Sequence, residues 1–165
     1  MRDFGAALSP LNAFLLLQGL ETLNLRMAKH VDNARVLAEW LTQQAGVAWV
    51  NYPGLSTHPQ YSLAQKLMPK GAGSILSFGI QGGLAAGLAF MDALQLATNL
   101  ANVGDSRTLV LHPASTTHSR LDSQAQQAAG ISADLLRVSV GLEALQDIQA
   151  DFSRGLKAAA KFAKE

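Results

Sequence analysis

Apolar residues recur along the chain with two different periods, and each change of period marks a new element. Around residues 10–18, Leu11, Ala13, Phe14, Leu15, Leu16 and Leu17 are apolar on nearly every side of a short helix. Ser9-Pro10 reads as an N-cap followed by proline in the first turn, and Gly19 is expected to interrupt the helix. Thr22 can cap a second, longer helix, in which Leu23, Met27, Val31, Ala34, Ala38 and Leu41 fall on one face. Gly46 is expected to end it. Residues 47–51 read as a strand, Tyr52-Pro53-Gly54 as a turn, and residues 58–68 as a modest helix stopped by Pro69. A loop, Lys70-Gly71-Ala72-Gly73, leads into a strand over 74–80. In that strand Leu76, Phe78 and Ile80 share one face, and Ser77 and Gly79 the other.

Gly82-Gly83 breaks the strand, and a helix over 84–96 should turn Leu84, Leu88, Met91 and Leu94 or Gln95 inward. Short strands follow over 98–101 and 108–111, on either side of Gly104-Asp105. Residues 113–121 form a loop rich in Ser and Thr, and Asp122 or Ser123 caps a short helix that ends at Gly130. The last strand spans 135–140, with Leu136, Val138 and Val140 pointing one way and Leu135, Arg137 and Ser139 the other. The final helix carries Leu145, Ile148, Phe152, Leu156 and Ala159 at helical spacing, with Lys157, Lys161 and Lys164 near its C-terminal end. The order predicts one α/β domain over 1–165: a small, mostly antiparallel sheet with helices packed on it.

Composition narrows the function. At 48% hydrophobic and 15% charged residues, the chain is of globular type. A net charge of +1 with scattered Lys and Arg gives no basic footprint for nucleic acid or an anionic membrane. No run is long enough to span a bilayer, so a cytoplasmic protein is expected. Without cysteine there is no disulfide, thiolate metal site or cysteine nucleophile. The all-round apolar first helix must be buried on all sides, which calls for another subunit or a further part of the protein.

Arg137 is the most informative polar residue. A guanidinium in an otherwise apolar strand needs a partner, either a protein carboxylate or a ligand that it grips with two parallel hydrogen bonds. His112 and His118 are six apart, which is not a zinc spacing, and no metal site is expected. His30 lies on a helix as a packed or exposed polar residue. The glycine pairs match neither a dinucleotide fingerprint nor a P-loop, and there is no GxSxG. The Ser115-Thr116-Thr117 hydroxyls either bind an anion or cap the turn.

Four blocks then carry a resemblance: residues 5–27 (GAALSPLNAFLLLQGLETLNLRM), Asn102-Val103-Gly104-Asp105, residues 111–118 (LHPASTTH) and residues 136–143 (LRVSVGLE). In this order they resemble the C-terminal part of the pyridoxal-phosphate-dependent enzymes of cysteine and methionine metabolism, a fold-type-I family, and most closely its sulfhydrylase branch. The resemblance implies that Arg137 holds the α-carboxylate of an amino-acid substrate. It extends substrate binding to Asn102, where many lyase relatives carry Ser, and to Thr117, where the loop often carries Met. Read without the resemblance, Asn102 is a turn residue before Gly104.

The implied reaction is γ-replacement: O-acetylhomoserine and sulfide or methanethiol give homocysteine or methionine and acetate. Cystathionine γ-synthase or γ-lyase specificity is the related alternative, and a non-enzymatic association module of the same fold is another. The family's Schiff-base lysine lies in a larger N-terminal cofactor domain. None of Lys29, Lys66, Lys70, Lys157, Lys161 or Lys164 has a matching context. The resemblance therefore implies a C-terminal domain that has no catalytic residue of its own, does not bind pyridoxal phosphate covalently, is inactive in isolation, and pairs with that N-terminal domain in a homo-oligomer.

Overall fold

Strand β5 (Leu135–Ser139) lies at the centre of a five-stranded sheet in the computed structural model, which describes residue 5 and residues 7–163. The order across the sheet is β1 (Val47–Asn51), β2 (Ile75–Ile80), β5, β4 (Leu109–Leu111) and β3 (Thr98–Asn99). All neighbours are antiparallel except β3 and β4, which run parallel. This is the small, mostly antiparallel α/β arrangement that the periodicity predicts.

One face of the sheet forms the core. Leu76, Phe78 and Ile80 of β2 and Leu136 of β5 are buried together with Val138 and Val140. Helices α2 (Leu23–Leu41), α4 (Gly83–Ala93) and α6 (Leu145–Ala159) cover them. At the centre Phe78, Phe90 and Phe152 meet with ring centroids 5.5–6.2 Å apart. Burial of each ring stabilises by about 1.5–3 kcal/mol, before any edge-to-face contribution. The period-2 pattern of β2 and β5 predicts this face correctly, because one side of each strand is uniformly apolar.

Helix α4 meets its expected face only in part: Met91 and, just past the helix, Leu94 pack against the core, but the first two leucines do not. Ala86, Gly87 and Phe90 are buried, whereas Leu84 and Leu88 are 47% and 42% exposed. The helix is apolar almost all round, so periodicity does not single out a face. Close approach does: a Cβ on Gly87 would lie 2.6 Å from the His112 ring, and one on Gly155 of α6 would lie 2.6 Å from the Phe90 ring. Small residues therefore set the contact.

Other expectations change at helix ends. Helix α1 (Pro10–Glu21) begins as predicted, with the Ser9 hydroxyl accepting from the Asn12 N–H at 3.2 Å, but it continues through Gly19. A single glycine costs only about 1 kcal/mol in a helix and does not by itself end one. Thr22 stands at the N-cap of α2 as expected, but its hydroxyl makes no cap bond and accepts from Arg26 Nε at 3.3 Å instead. Helix α2 stops at Leu41, and Gly46, at φ +88°, serves the turn into β1. Helices α3 (Tyr61–Leu67) and α5 (Ser123–Ala128) are shorter than their predicted spans, and Asp122 caps α5 by accepting from the Ala125 N–H at 2.8 Å. Lys164 lies outside the described residues.

His30 is a packed polar residue. It is buried and donates from Nδ1 to the Val140 carbonyl at 2.7 Å. One turn on, the Asn33 amide donates to the carbonyls of Gly141 and Glu143, both at 3.0 Å. These bonds bolt α2 to the end of β5. Helix α1, by contrast, has no buried residue, and Leu11, Leu16 and Leu17 are all more than 60% exposed.

Candidate functional site

The other face of the sheet is covered over Leu109, Leu111 and Ser139 but open beside β2, and Arg137 stands on it. The β-ladders place Asn51, Ser77, Arg137 and Leu111 in one row across four strands. Residues directly opposite in neighbouring strands point to the same side. Asn51, Ser77 and Arg137 all line a cavity of about 400 Å³, with Ile75, Leu135 and Pro113 among its apolar walls. Arg137 is half-buried, and among the described residues its guanidinium has no hydrogen-bond or ion-pair partner. No described protein carboxylate pairs with it, and it lines the cavity.

The loop after β1 closes one side. His58 Nδ1 accepts from the Gln60 N–H at 3.1 Å, so the proton of the neutral ring sits on Nε2, which donates to Asn51 Oδ1 at 2.9 Å. His58 and Gln60 both line the cavity. Below them Tyr52 is buried and its hydroxyl donates to the Gly73 carbonyl at 2.9 Å; burial pushes its pKa up to about 12. Asn51, His58, Gln60 and Ser77 are absent from the sequence-level site. Cross-strand register was the missing signal, since these residues are 60–86 positions away from Arg137 in the chain.

Asn102 and Thr117 do not line this cavity. Asn102 is exposed, and its Oδ1 accepts from the next backbone N–H at 2.9 Å, a turn-residue role. Its loop continues to Asp105, whose carboxyl is held below its usual range by hydrogen bonds from the Arg107 side chain and backbone. Thr117 is exposed and its hydroxyl pairs with His118 Nδ1 at 2.8 Å. The neighbouring hydroxyls serve the turn: Thr116 donates to the His112 carbonyl at 2.7 Å and Ser119 to the Thr116 carbonyl at 2.9 Å. His112 is fully buried, with Nε2 donating to the Ala133 carbonyl at 2.9 Å.

The residues after Arg137 are structural. Glu143 accepts from the Thr108 N–H at 2.6 Å and the Thr108 hydroxyl at 2.8 Å, and that hydroxyl accepts from the Gly141 N–H at 3.0 Å. A Cβ on Gly141 would lie 2.2 Å from Glu143 Oε2 and 2.4 Å from the Arg107 backbone. This lock explains why a glycine and a glutamate follow the arginine strand at that spacing.

Described lysines Lys29, Lys66, Lys70, Lys157 and Lys161 are all exposed, and none lines the Arg137 cavity. Among the described residues no amine faces that cavity to condense with an aldehyde cofactor. No group of His, Asp and Glu among them is arranged to hold a metal ion.

The α/β fold, with its five-stranded mixed sheet and packed helices, is that of fold-type-I pyridoxal-phosphate enzymes. It superposes with a TM-score of 0.86 and 42% identity on cystathionine γ-synthase from Xanthomonas oryzae, solved with aminoacrylate and cysteine, over 97% of this chain and 41% of that one. The chain belongs to the Cys/Met metabolism PLP-dependent enzyme family, whose family model matches residues 1–157.

It is 49% identical to O-acetyl-L-homoserine sulfhydrylase 1 of Thermus thermophilus over 94% of this chain. It also matches an O-acetylhomoserine (thiol)-lyase structure from Campylobacter jejuni, at 41% identity and TM-score 0.84 over 94% of this chain. That structure carries N'-pyridoxyl-lysine-5'-monophosphate at its position 205. The chain spans 37% of the length of each of these two relatives.

Proposed function

We propose that this chain is the substrate-side, C-terminal portion of a pyridoxal-phosphate-dependent γ-replacement enzyme, and that Arg137 receives the α-carboxylate of its amino-acid substrate. The reaction proposed for the complete enzyme is O-acetylhomoserine plus sulfide or methanethiol to homocysteine or methionine plus acetate. The single observation that carries this reading is the half-buried Arg137 guanidinium, unpartnered among the described residues, over an open cavity of about 400 Å³. A fork of donors held on a rigid central strand suits a planar carboxylate. Fixing the carboxylate fixes the orientation of the substrate's Cα bonds, which decides which bond is broken. Pyridoxal phosphate, when bound, supplies the electron sink for such chemistry. The lysine that would carry it is proposed to lie in an N-terminal domain outside this stretch, so the isolated chain is expected to be inactive.

The sulfhydrylase relative supports acetyl-ester chemistry, and the cystathionine γ-synthase match keeps a thiol amino acid as the alternative acceptor within the same reaction class. Asn102 and Thr117 remain proposed substrate contacts, in loops that another part of the enzyme would have to press against the cavity. Helix α1 presents Leu11, Phe14, Leu15, Leu16, Leu17 and Leu20 with more than half of each side chain exposed. We propose that the N-terminal domain and a second copy in a homo-oligomer cover this face. No helix among the described residues is long and apolar enough to cross a membrane, in keeping with a proposed cytoplasmic location.

The test is Arg137→Ala in the complete enzyme. Loss of a paired charge–carboxylate contact predicts a fall in kcat/KM of about 100-fold or more. Arg137→Lys, which keeps the charge but not the fork, should recover only part of it. Unchanged kcat/KM in Arg137→Ala would rule the carboxylate role out.

A further inference from the structure

We propose that Ser77 is a second contact for the substrate carboxylate: a positioning residue whose hydroxyl donates to the oxygen that Arg137 holds. This inference rests on the proposed role of Arg137 and adds to it a residue on a different strand. Arg137 has two cross-strand neighbours in its row, Ser77 on β2 and Leu111 on β4. Leu111 has no polar side-chain atom, so Ser77 is the neighbour able to assist. Ser77 is half-buried and lines the same cavity as Arg137. Among the described residues its hydroxyl makes no hydrogen bond, although most of the other hydroxyls around the site are engaged in turns. Asn51, next in the row, has its Oδ1 committed to His58 and stands one strand further from Arg137 than Ser77 does.

The donor count favours this arrangement. A carboxylate offers about four acceptor positions, and a guanidinium fork occupies two. A hydroxyl beside a guanidinium can accept from it but not donate to it, so its own hydrogen is left for an anion bound between them. Opposed residues in antiparallel strands have Cβ atoms about 4.5–5.5 Å apart, a span that one carboxylate can bridge. Ser77 thus turns a single-residue clamp into a two-strand receptor, and narrows the orientations the substrate can take.

The experiment is steady-state kinetics on the complete enzyme carrying Ser77→Ala, Ser77→Thr or Arg137→Ala. Ser77→Ala should raise KM for the amino-acid substrate about 10-fold, the size expected for one hydrogen bond to a charged group, with kcat and the KM for the thiol within twofold of wild type. Ser77→Thr, which retains the hydroxyl, should restore KM. The urea midpoint should be unchanged in both. If Ser77→Ala leaves the amino-acid KM unchanged while Arg137→Ala loses activity, the Ser77 inference is overturned and the carboxylate role of Arg137 stands. If Arg137→Ala is itself unchanged, the carboxylate reading fails and the Ser77 inference falls with it. A Ser77→Ala enzyme that loses kcat and urea stability together would show a packing role and also overturn the inference.

Discussion

Asp151 and Arg137 are both charged side chains drawn back from solvent, and the fold treats them in opposite ways. Asp151 sits on α6, fully buried. Its carboxylate accepts from the backbone N–H groups of Gln95, Leu96 and Ala97 at 2.8, 3.1 and 2.9 Å, and from Arg154 at 2.9 Å. Burial pushes its pKa up, but those four donors more than offset that and hold it below the usual range. Arg137, half-buried on β5, is given no protein partner among the described residues. A charge matched on every side ties an element down; here it ties α6 to the end of α4. Arg137 lines a cavity with no described partner, the observation on which its proposed carboxylate role rests.

The comparison is broken most sharply by removing each charge in turn. Asp151→Ala should lower stability by about 2–4 kcal/mol in urea unfolding, because three backbone donors lose their acceptor in a buried site. Arg137→Ala should shift the same curve by less than about 0.5 kcal/mol, since no intramolecular partner is lost, although activity collapses. Equal destabilisation by the two changes would mean that Arg137 has a structural partner after all.

Acid sharpens the same contrast. A carboxylate whose folded pKa is depressed contributes stability that is present above its ordinary value near 3.8 and is lost as pH falls through the lower folded value. The wild-type chain should therefore lose stability across that acid window, and Asp151→Asn should flatten the loss in urea midpoints measured from pH 5 to pH 2. Tyr52 provides the alkaline counterpart. Its folded pKa is raised from 10.0 to about 12, so its contribution is intact below pH 10 and is lost as pH rises toward 12. Tyr52→Phe should remove that alkaline limb, at a cost of about 1 kcal/mol at neutral pH from the lost bond to Gly73.

The smallest effect belongs to the exposed ion pairs. Arg35 bridges Asp32 and Glu39 at 3.1 and 3.0 Å with all three side chains roughly half exposed or more, and Arg35→Ala should cost no more than about 0.5 kcal/mol in the same assay.

Much of the fold was legible wherever local and tertiary demands agree. Strand β1 spans the predicted residues, and β2 and β5 fall within one residue of theirs, because each presents one apolar side to a single core. Helix α6 buries Ile148, Phe152, Leu156 and Ala159 as its spacing predicts. The caps at Ser9 and Asp122 are read from short-range chemistry alone. The expectations that changed lie where the sequence is locally degenerate. Helix α4 is apolar all round, so Gly87 and Gly155 chose its buried face, not its leucines. Thr22 had a rival partner in Arg26. The candidate site was half legible: Arg137 stands out as a lone charge in an apolar strand, but Ser77, Asn51 and His58 are ordinary polar residues until register sets them beside it.

By itself, then, the sequence determined the α/β layering, the sealed face of the sheet and the family, because hydrophobic period and motif blocks are properties of neighbours in the chain. Only the tertiary structure decided that Arg137 has no described protein partner, that Ser77 lies opposite it, and that α4 packs through its small residues. These are relations between segments far apart in sequence, settled by strand register and close packing, and neither leaves a periodic trace along the chain.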